Sequence, residues 1–325
     1  MDYERGLLDL IIARLGKLSC REKLLLCKSF DTEQDFFRQS AADIEAMIGR
    51  KLAAPWNIDR VRRLVQRDEA AARLKGINWL SWHNRAYPPL LREIYDPPVV
   101  LFFRGNLPNP EAPLAAVVGT RKPSPQAAAQ AYRIAYDLAH NGISVVSGLA
   151  LGIDAMAHRG NIEGGAPTVA VLGSGLDKVY PSSNRTLARR VLETGGCLFS
   201  EYPPGTSPHK WHFPARNRII SGLARGVLIV EAPEKSGALI TARFALEHNR
   251  EVWVASCGLD EDNGQKITFD RRGTAKLAAE GAGIIRDASD ILEAWNMETT
   301  GLEPPEITSG ATLAASLAHS IGVSL

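Results

Sequence analysis

The spacing of apolar positions changes once along this chain, near Gly76, and the change separates two architectures. Before it, "LLDLIIARL" and "REKLLLCKSF" repeat apolar residues at helical intervals. "SAADIEAMIG" carries Ser40 as an N-cap, Asp43 three residues later and Gly49 at the stop. "NIDRVRRLVQRDEAAARLKG" is an amphipathic helix closed by Gly76. These segments predict a small all-helical domain over residues 1–75. It has no Gly-apolar-Gly hairpin, so an interaction or spacer role is favoured over DNA reading.

After Gly76, "INWLSW", "PPVVLFF" and "LAAVVG" read as short apolar strands, and a βα alternation follows. "LAAVV", "ISVVS", "PTVAVLG", "CLFSE", "GVLIVEA" and "EVWVASC" are strands apolar on both faces. Helices intervene, the first N-capped by Ser124 with Pro125 at its first position and ended at Asn141-Gly142. Ala131, Ile134, Ala135 and Leu138 give that helix one apolar face. The pattern predicts an α/β domain over residues 76–295, a doubly wound parallel sheet with right-handed crossovers. Residues 296–325 read as a Pro/Gly-bearing linker and a short tail.

Composition sharpens this picture only locally. Net charge is +2 over 325 residues, so any binding to nucleic acid must come from a patch rather than a global polycation. One such patch exists: "HKWHFPARNRIISGLARG", within a stretch from Tyr202 to Val230 that has no Asp or Glu. Cys20, Cys27, Cys197 and Cys257 form no CxxC pair, which points to reduced thiols and neither disulfides nor a metal site. The first residues lack a basic segment followed by an apolar one, and no apolar run approaches the roughly 20 residues that span a bilayer. A cytoplasmic protein without membrane contact is the expectation.

Candidate chemistry gathers where the strands of such a sheet end. Five loops converge there: "GTRKPS" with Gly119, Thr120 and Arg121; "SGLALGID" with Ser147 and Gly148; "GSGLDKVYP" with Gly173, Ser174 and Gly175; "EYPPGTSPHKWHFPARNR"; and "EAPEKSGALITA" with Ser236 and Gly237. Their glycines let backbone N–H groups approach an anion, and the helix starts behind them add positive potential. Tight βα turns without a ligand use the same glycines, so the convergence of five loops carries the reading. The first turn is not GxGxxG and the second strand ends in "VVSG" without an acid to hold a ribose, which argues against a dinucleotide cofactor. Asp154 and His158 can pair locally, but a helix-start carboxylate and a packed histidine account for them without acid–base chemistry.

Arg121 offers a planar fork that fits phosphate oxygens. Lys210, Arg216 and Arg218 can track a nucleic-acid backbone while Phe213 and Trp211 offer faces to bases, the combination that single strands require. The alternative is that the arginines lie on a helix surface and the aromatics in the core. With Pro214 at the first helical position, Arg216 and Asn217 fall in a first turn, where the dipole disfavours cations.

"YPPLLREIYDPPVVLFFRGN", "VVGTRKPS", "VVSGLALGIDAMAH", "TVAVLGSGLDKVYPSSN", "SEYPPG", "FPARNRIISGLARGVLIVEAPEKSGALITA" and "RGTAKLAAEGA" together resemble the DNA-processing protein A (DprA/Smf) family, in order from Tyr87 to Ala282. The resemblance implies an extended Rossmann-like sheet preceded by a small SAM-like helical domain. It implies a non-catalytic protein without cofactor that binds single-stranded DNA, dimerises, loads a RecA-type recombinase in natural transformation and displaces or bypasses single-strand-binding protein. Carried over by motif, the contacts are Arg121, Lys210, Phe213, Arg216, Asn217 and Arg218, with Ser147 and Gly148, and the dimer forms around residues 239–256. The chain departs from the family at Ser256-Cys257-Gly258, where relatives carry Val-Pro-Gly, and in the acidic loop Asp260–Asp262 that follows. No winged-helix domain is expected after residue 296. The competing class is a lysine-decarboxylase-like nucleoside-monophosphate phosphoribohydrolase on a related sheet, although "EAPEKSGALITA" stands where its PGGxGT signature would fall.

Overall fold

The computed structural model of the chain describes residues 2–259 and 269–298; the acidic loop at 260–262 and the tail from 299 lie outside the described residues. Five helices come first: α1 (Asp2–Ala13), α2 (Cys20–Ser29), α3 (Glu33–Phe37), α4 (Ala41–Ile48) and α5 (Ile58–Leu74). Ser19, Thr32, Ser40 and Asn57 cap the last four through their side-chain oxygens, each satisfying a backbone N–H that the helix leaves open. Ser40 and Asp43 form a full capping box, and α4 ends at Gly49 with φ +74°. The apolar faces of these helices bury Leu8, Ile12, Leu26, Phe36 and Ile44 in a core that continues into Val100, Phe102, Leu172 and Leu198 of the sheet. The helical region therefore shares its core with the α/β region.

Next come β1 (Asn78–Ser81), α6 (Pro89–Arg92) and β2 (Val100–Gly105). The alternation then runs β3 (Leu114–Val118), α7 (Pro125–His140), β4 (Ser144–Ser147), α8 (Ile153–Glu163), β5 (Val169–Leu172), α9 (Arg185–Glu193) and β6 (Cys197–Ser200). It continues with α10 (His212–Leu223), β7 (Gly226–Ile229), α11 (Gly237–Glu247), β8 (Glu251–Ala255), α12 (Arg272–Ala279), β9 (Gly283–Ile285) and α13 (Ala288–Ala294). Among the described residues, nine strands form one sheet in the order β1-β2-β6-β5-β4-β3-β7-β8-β9.

From β6 through β9 all neighbours are parallel, whereas β1 and β2 add an antiparallel edge beside β6. The sheet is therefore mixed and not wholly parallel as the pattern suggested. The reason lies in the segment 106–113. It is too short for a helical crossover, which needs a dozen or so residues. Because β2 runs against β3, it ends on the edge where β3 starts, and the segment only has to follow that edge.

Alternation of side chains builds the layers. Leu114, Ala116 and Val118 of β3 face Ile219, Ile220 and Leu223 of α10, while Ala115 and Val117 join the cluster of α7, α8 and α13. Helices on both faces make the fold doubly wound, as the buried strands indicate. The strands β4, β5 and β6 lie on one side of β3 and β7 to β9 on the other. The connections thus reverse direction between β3 and β7, which is the switch point of the sheet. Among the described residues no helix is long and apolar enough to cross a membrane, no cluster of three or more His, Cys, Asp or Glu could hold a metal, and the four cysteines are free.

Candidate nucleic-acid interface

The ends of β3, β5 and β6 lie near one another along the sheet, and their loops bring cations and aromatic rings together. The Arg121 guanidinium lies over the Phe213 ring, 5.7 Å from its centroid. Tyr180, from the loop after β5, meets the same ring at 5.5 Å between centroids, tilted by 36°. Beneath them Gly173 leaves room: a Cβ there would stand 3.1 Å from Phe213. Phe213 is half-buried, Arg121, Lys122, Lys178 and Lys210 are exposed, and Tyr180 is 46% exposed. Phe213 is thus held by the fold with part of its ring open. Tyr180 was not singled out in the sequence; its signal was an aromatic placed just after a glycine-rich turn.

The first half of "HKWHFPARNRIISGLARG" carries further rings. Trp211 is 69% exposed and stacks on His209 at 4.7 Å with the planes 2° apart. His209 meets His212 edge-on at 5.0 Å. His212 is buried, stacks on Tyr202 at 3.8 Å and hydrogen-bonds the Gly173 carbonyl at 3.1 Å. Burial lowers the His212 pKa.

The second half departs from the sequence expectation. Helix α10 begins at His212, two residues before the expected start at Pro214. Proline is tolerated throughout a first turn because its missing N–H has no partner there anyway, so it does not set the register. Arg216, Asn217 and Arg218 consequently sit beyond the first turn, and the argument from an unfavourable dipole does not hold. Arg216 and Arg218 are also not surface cations, being 5% and 4% exposed.

Arg216 is a brace under the rim. Its Nη1 donates to the Val171 carbonyl at 2.5 Å, and its guanidinium lies against the Cα of Gly148, where a Cβ would collide with it. Asp154 holds the same loop from the other side, accepting from the N–H groups of Gly148 at 3.0 Å and Ala150 at 3.3 Å. Burial lowers the Arg216 pKa to about 10, against the attraction of Asp154, and burial raises that of Asp154. Asp154 and His158 do not pair. His158 is fully buried with Nδ1 2.8 Å from Thr168 Oγ1, and burial plus the Arg216 charge push its pKa down to about 3.

Arg218 is a clamp. Its Nη2 donates to both Glu201 oxygens at 2.7 and 2.8 Å, and its Nε is 3.1 Å from Asp96. The same Nη2 lies 3.2 Å from Cys20 Sγ at the start of α2, so the clamp joins helical region, sheet and α10. Burial, then the Glu201 charge, push the Cys20 thiol up to about 11. Asn217 donates to the Gly237 carbonyl at 3.0 Å and ties α10 to α11.

The small-residue turns are mostly consumed internally. Ser147 is fully buried and donates to the Val117 carbonyl at 2.7 Å. Ser174 is 1% exposed with its hydroxyl 3.3 Å from the Lys178 carbonyl, and the Gly175 N–H donates to Thr206 at 2.9 Å. These groups are not an anion cradle, because their donors are already paired or buried. Gly119 is required by packing, since a Cβ would come 2.7 Å from Ile153. Thr120 receives the Lys122 N–H at 3.2 Å and shapes the turn. Ser236 caps α11 and Gly237 is exposed beside it, on a shallow depression of about 450 Å³ lined by Lys235 and Arg243.

At the switch point itself the site is filled by the chain. Glu231, 1% exposed, accepts the Ser124 N–H at 2.7 Å, at the amino end of α7. Arg271 binds its other oxygen at 2.9 Å and reaches Ser124 Oγ at 3.3 Å. A carboxylate thus occupies the place where a helix start would otherwise receive a cofactor phosphate.

A doubly wound sheet with a buried carboxylate at its first turn, and a cationic, aromatic rim left open, defines a Rossmann-like protein. The chain belongs to the DNA-processing protein A (DprA/Smf) family of DNA recombination mediators: the sequence model described as DNA recombination-mediator protein A matches residues 78–296. DNA processing protein DprA of Bacillus subtilis is 40% identical over 225 residues, 69% of this chain and 73% of that protein. The crystal structure of DNA processing protein A from Streptococcus pneumoniae superposes with a TM-score of 0.69 at 33% identity, covering 87% of this chain and 95% of the other. The structure of DNA processing protein A from Helicobacter pylori, solved for its single-stranded DNA binding mode, gives 0.58 at 29% identity, covering 68% and 95%.

Proposed function

We propose that this protein binds single-stranded DNA on the rim formed by the loops after β3, β5 and β6, in the cytoplasm and without catalysing a reaction on it. The observation that carries the reading is the Arg121–Phe213–Tyr180 cluster, a cation and two rings at the strand ends beside exposed Lys210. Arg121 and Lys210 neutralise phosphates, and the open part of Phe213 stacks a base. The single-strand binding of the Helicobacter pylori relative supports the same substrate class. Handing the strand to a RecA-type recombinase, displacement of single-strand-binding protein and dimerisation through residues 239–256 complete the proposal, resting on family membership.

Titration of a labelled single-stranded oligonucleotide against its duplex tests it. Single strands bind in preference, and log K falls with log salt at a slope of about −1.4 if Arg121 and Lys210 each meet a phosphate. Equal affinity for both forms, or affinity independent of salt, overturns the reading.

A further inference from the structure

We infer that Trp211 and His209 form a second base-stacking platform, so that a bound single strand turns around the amino end of α10 and is held by a base on each side of it. This inference rests on the single-strand reading above and adds to it a residue pair and a path.

The starting observation is an indole in water. Trp211 is 69% exposed, whereas Trp253 and Trp295 are buried at 6% and 3%. Exposing so large an apolar surface forgoes stabilisation that burial would provide. The ring is nevertheless held in a defined orientation. It lies parallel to His209, which abuts His212 edge-on, and His212 is buried against Tyr202 and bonded to the Gly173 carbonyl. A face presented without large losses of side-chain freedom is what stacking on a base requires.

The two platforms share one anchor. Gly173 receives the Phe213 ring on its Cα and the His212 imidazole on its carbonyl. Around α10, Trp211 and Phe213 are two residues apart, so their side chains diverge by about 200° and stand on nearly opposite sides of the helix start. The two rings are thus separated by about the width of the helix, ~10 Å, a gap that a strand of a few nucleotides spans. A strand stacked on both rings must therefore bend around the helix end. Exposed Lys210 precedes that end, the helix dipole there is positive, and no acidic residue occurs between Tyr202 and Val230. The surroundings match a polyanion with bases, not an acidic-to-basic protein contact.

The test compares the full chain with Trp211→Ala, Trp211→Phe, Lys210→Ala and Phe213→Ala on oligothymidylates of about 4 and about 16 nucleotides, the range of single-strand sites. Trp211→Ala weakens binding of the longer oligonucleotide about five-fold or more, leaves its salt slope unchanged and melts like the parent. Trp211→Phe restores most of the affinity, and the quenching of indole emission by DNA falls in that variant. Lys210→Ala instead makes the slope shallower by about 0.7. Parental affinity of Trp211→Ala for both lengths overturns the second platform, as does an altered oligomeric mass with DNA binding intact, which would mark a protein-docking face. If Phe213→Ala also binds like the parent, the single-strand reading itself fails; if Phe213→Ala weakens binding while Trp211→Ala does not, only the second platform fails.

Discussion

The turn after β3 and the loop before α10 stand on the same carboxyl edge of the sheet but are finished in opposite ways. At the first, Glu231 and Arg271 close the helix start with paired, buried charges. At the second, Lys210 and Trp211 are left in water and Phe213 is half-open, with Arg121 reaching over its ring from the first turn. The same contrast divides a single motif. Arg216 and Arg218 are buried and bonded to protein, while Lys210, a few residues earlier, is exposed. Cations in one short stretch thus serve two purposes: those inside position the rim, and those outside are available to a ligand. Net charge near zero fits this division, because affinity for a polyanion needs only the outward set.

The comparison can be broken most decisively at Arg218. Arg218→Ala leaves Glu201 and the Cys20 contact without their cation and should cost about 3–5 kcal/mol of stability in denaturant melts. A variant that melts like the parent but loses DNA binding would move Arg218 to the outward set. His158 gives the next largest effect. Its pKa falls from 6.5 to about 3 in the fold, so the unfolded chain takes up the proton first as pH drops. The stability this neutral histidine supports is complete above pH 6.5 and declines as pH falls below it, the loss reaching about 3 kcal/mol by pH 4. His158→Asn should flatten that part of the pH–stability curve; an unchanged slope contradicts its burial as a neutral ring.

Smaller effects sharpen the outward set. Phe213→Ala should lose roughly 1–3 kcal/mol of single-strand affinity with a much smaller change in melting temperature. A large drop in melting with parental affinity would return Phe213 to the core. Arg121→Ala should make the salt slope shallower by about 0.7 for the one phosphate contact removed, measured by titration at several salt concentrations.

Much of this was legible in the chain. The caps at Ser40 and Ser124, the stop at Gly49 and the apolar face of α7 are local signals, and each appears where the spacing indicated. The family motifs located the rim loops in order. Legibility ended where a residue's role depends on what is packed above it. Ser147 and Gly148 read as a phosphate turn, yet the hydroxyl is turned to Val117 and the backbone N–H to Asp154. The antiparallel edge of β1 and β2 also escaped the pattern, since strand direction leaves no trace in apolar spacing.

Helix and strand periods, caps and glycine-specific turns arise from interactions within a few residues, and so they are written in the sequence alone. Exposure is not of that kind. Lysine and arginine look alike along a chain, and only the approach of distant segments decides which of them meets a carboxylate. Arg218 meets Glu201 because α10 lies across the end of β6, and Glu231 reaches the start of α7 because β7 pairs with β3. Those pairings are set by the order of strands in the folded sheet, and they decide which charges remain for a ligand.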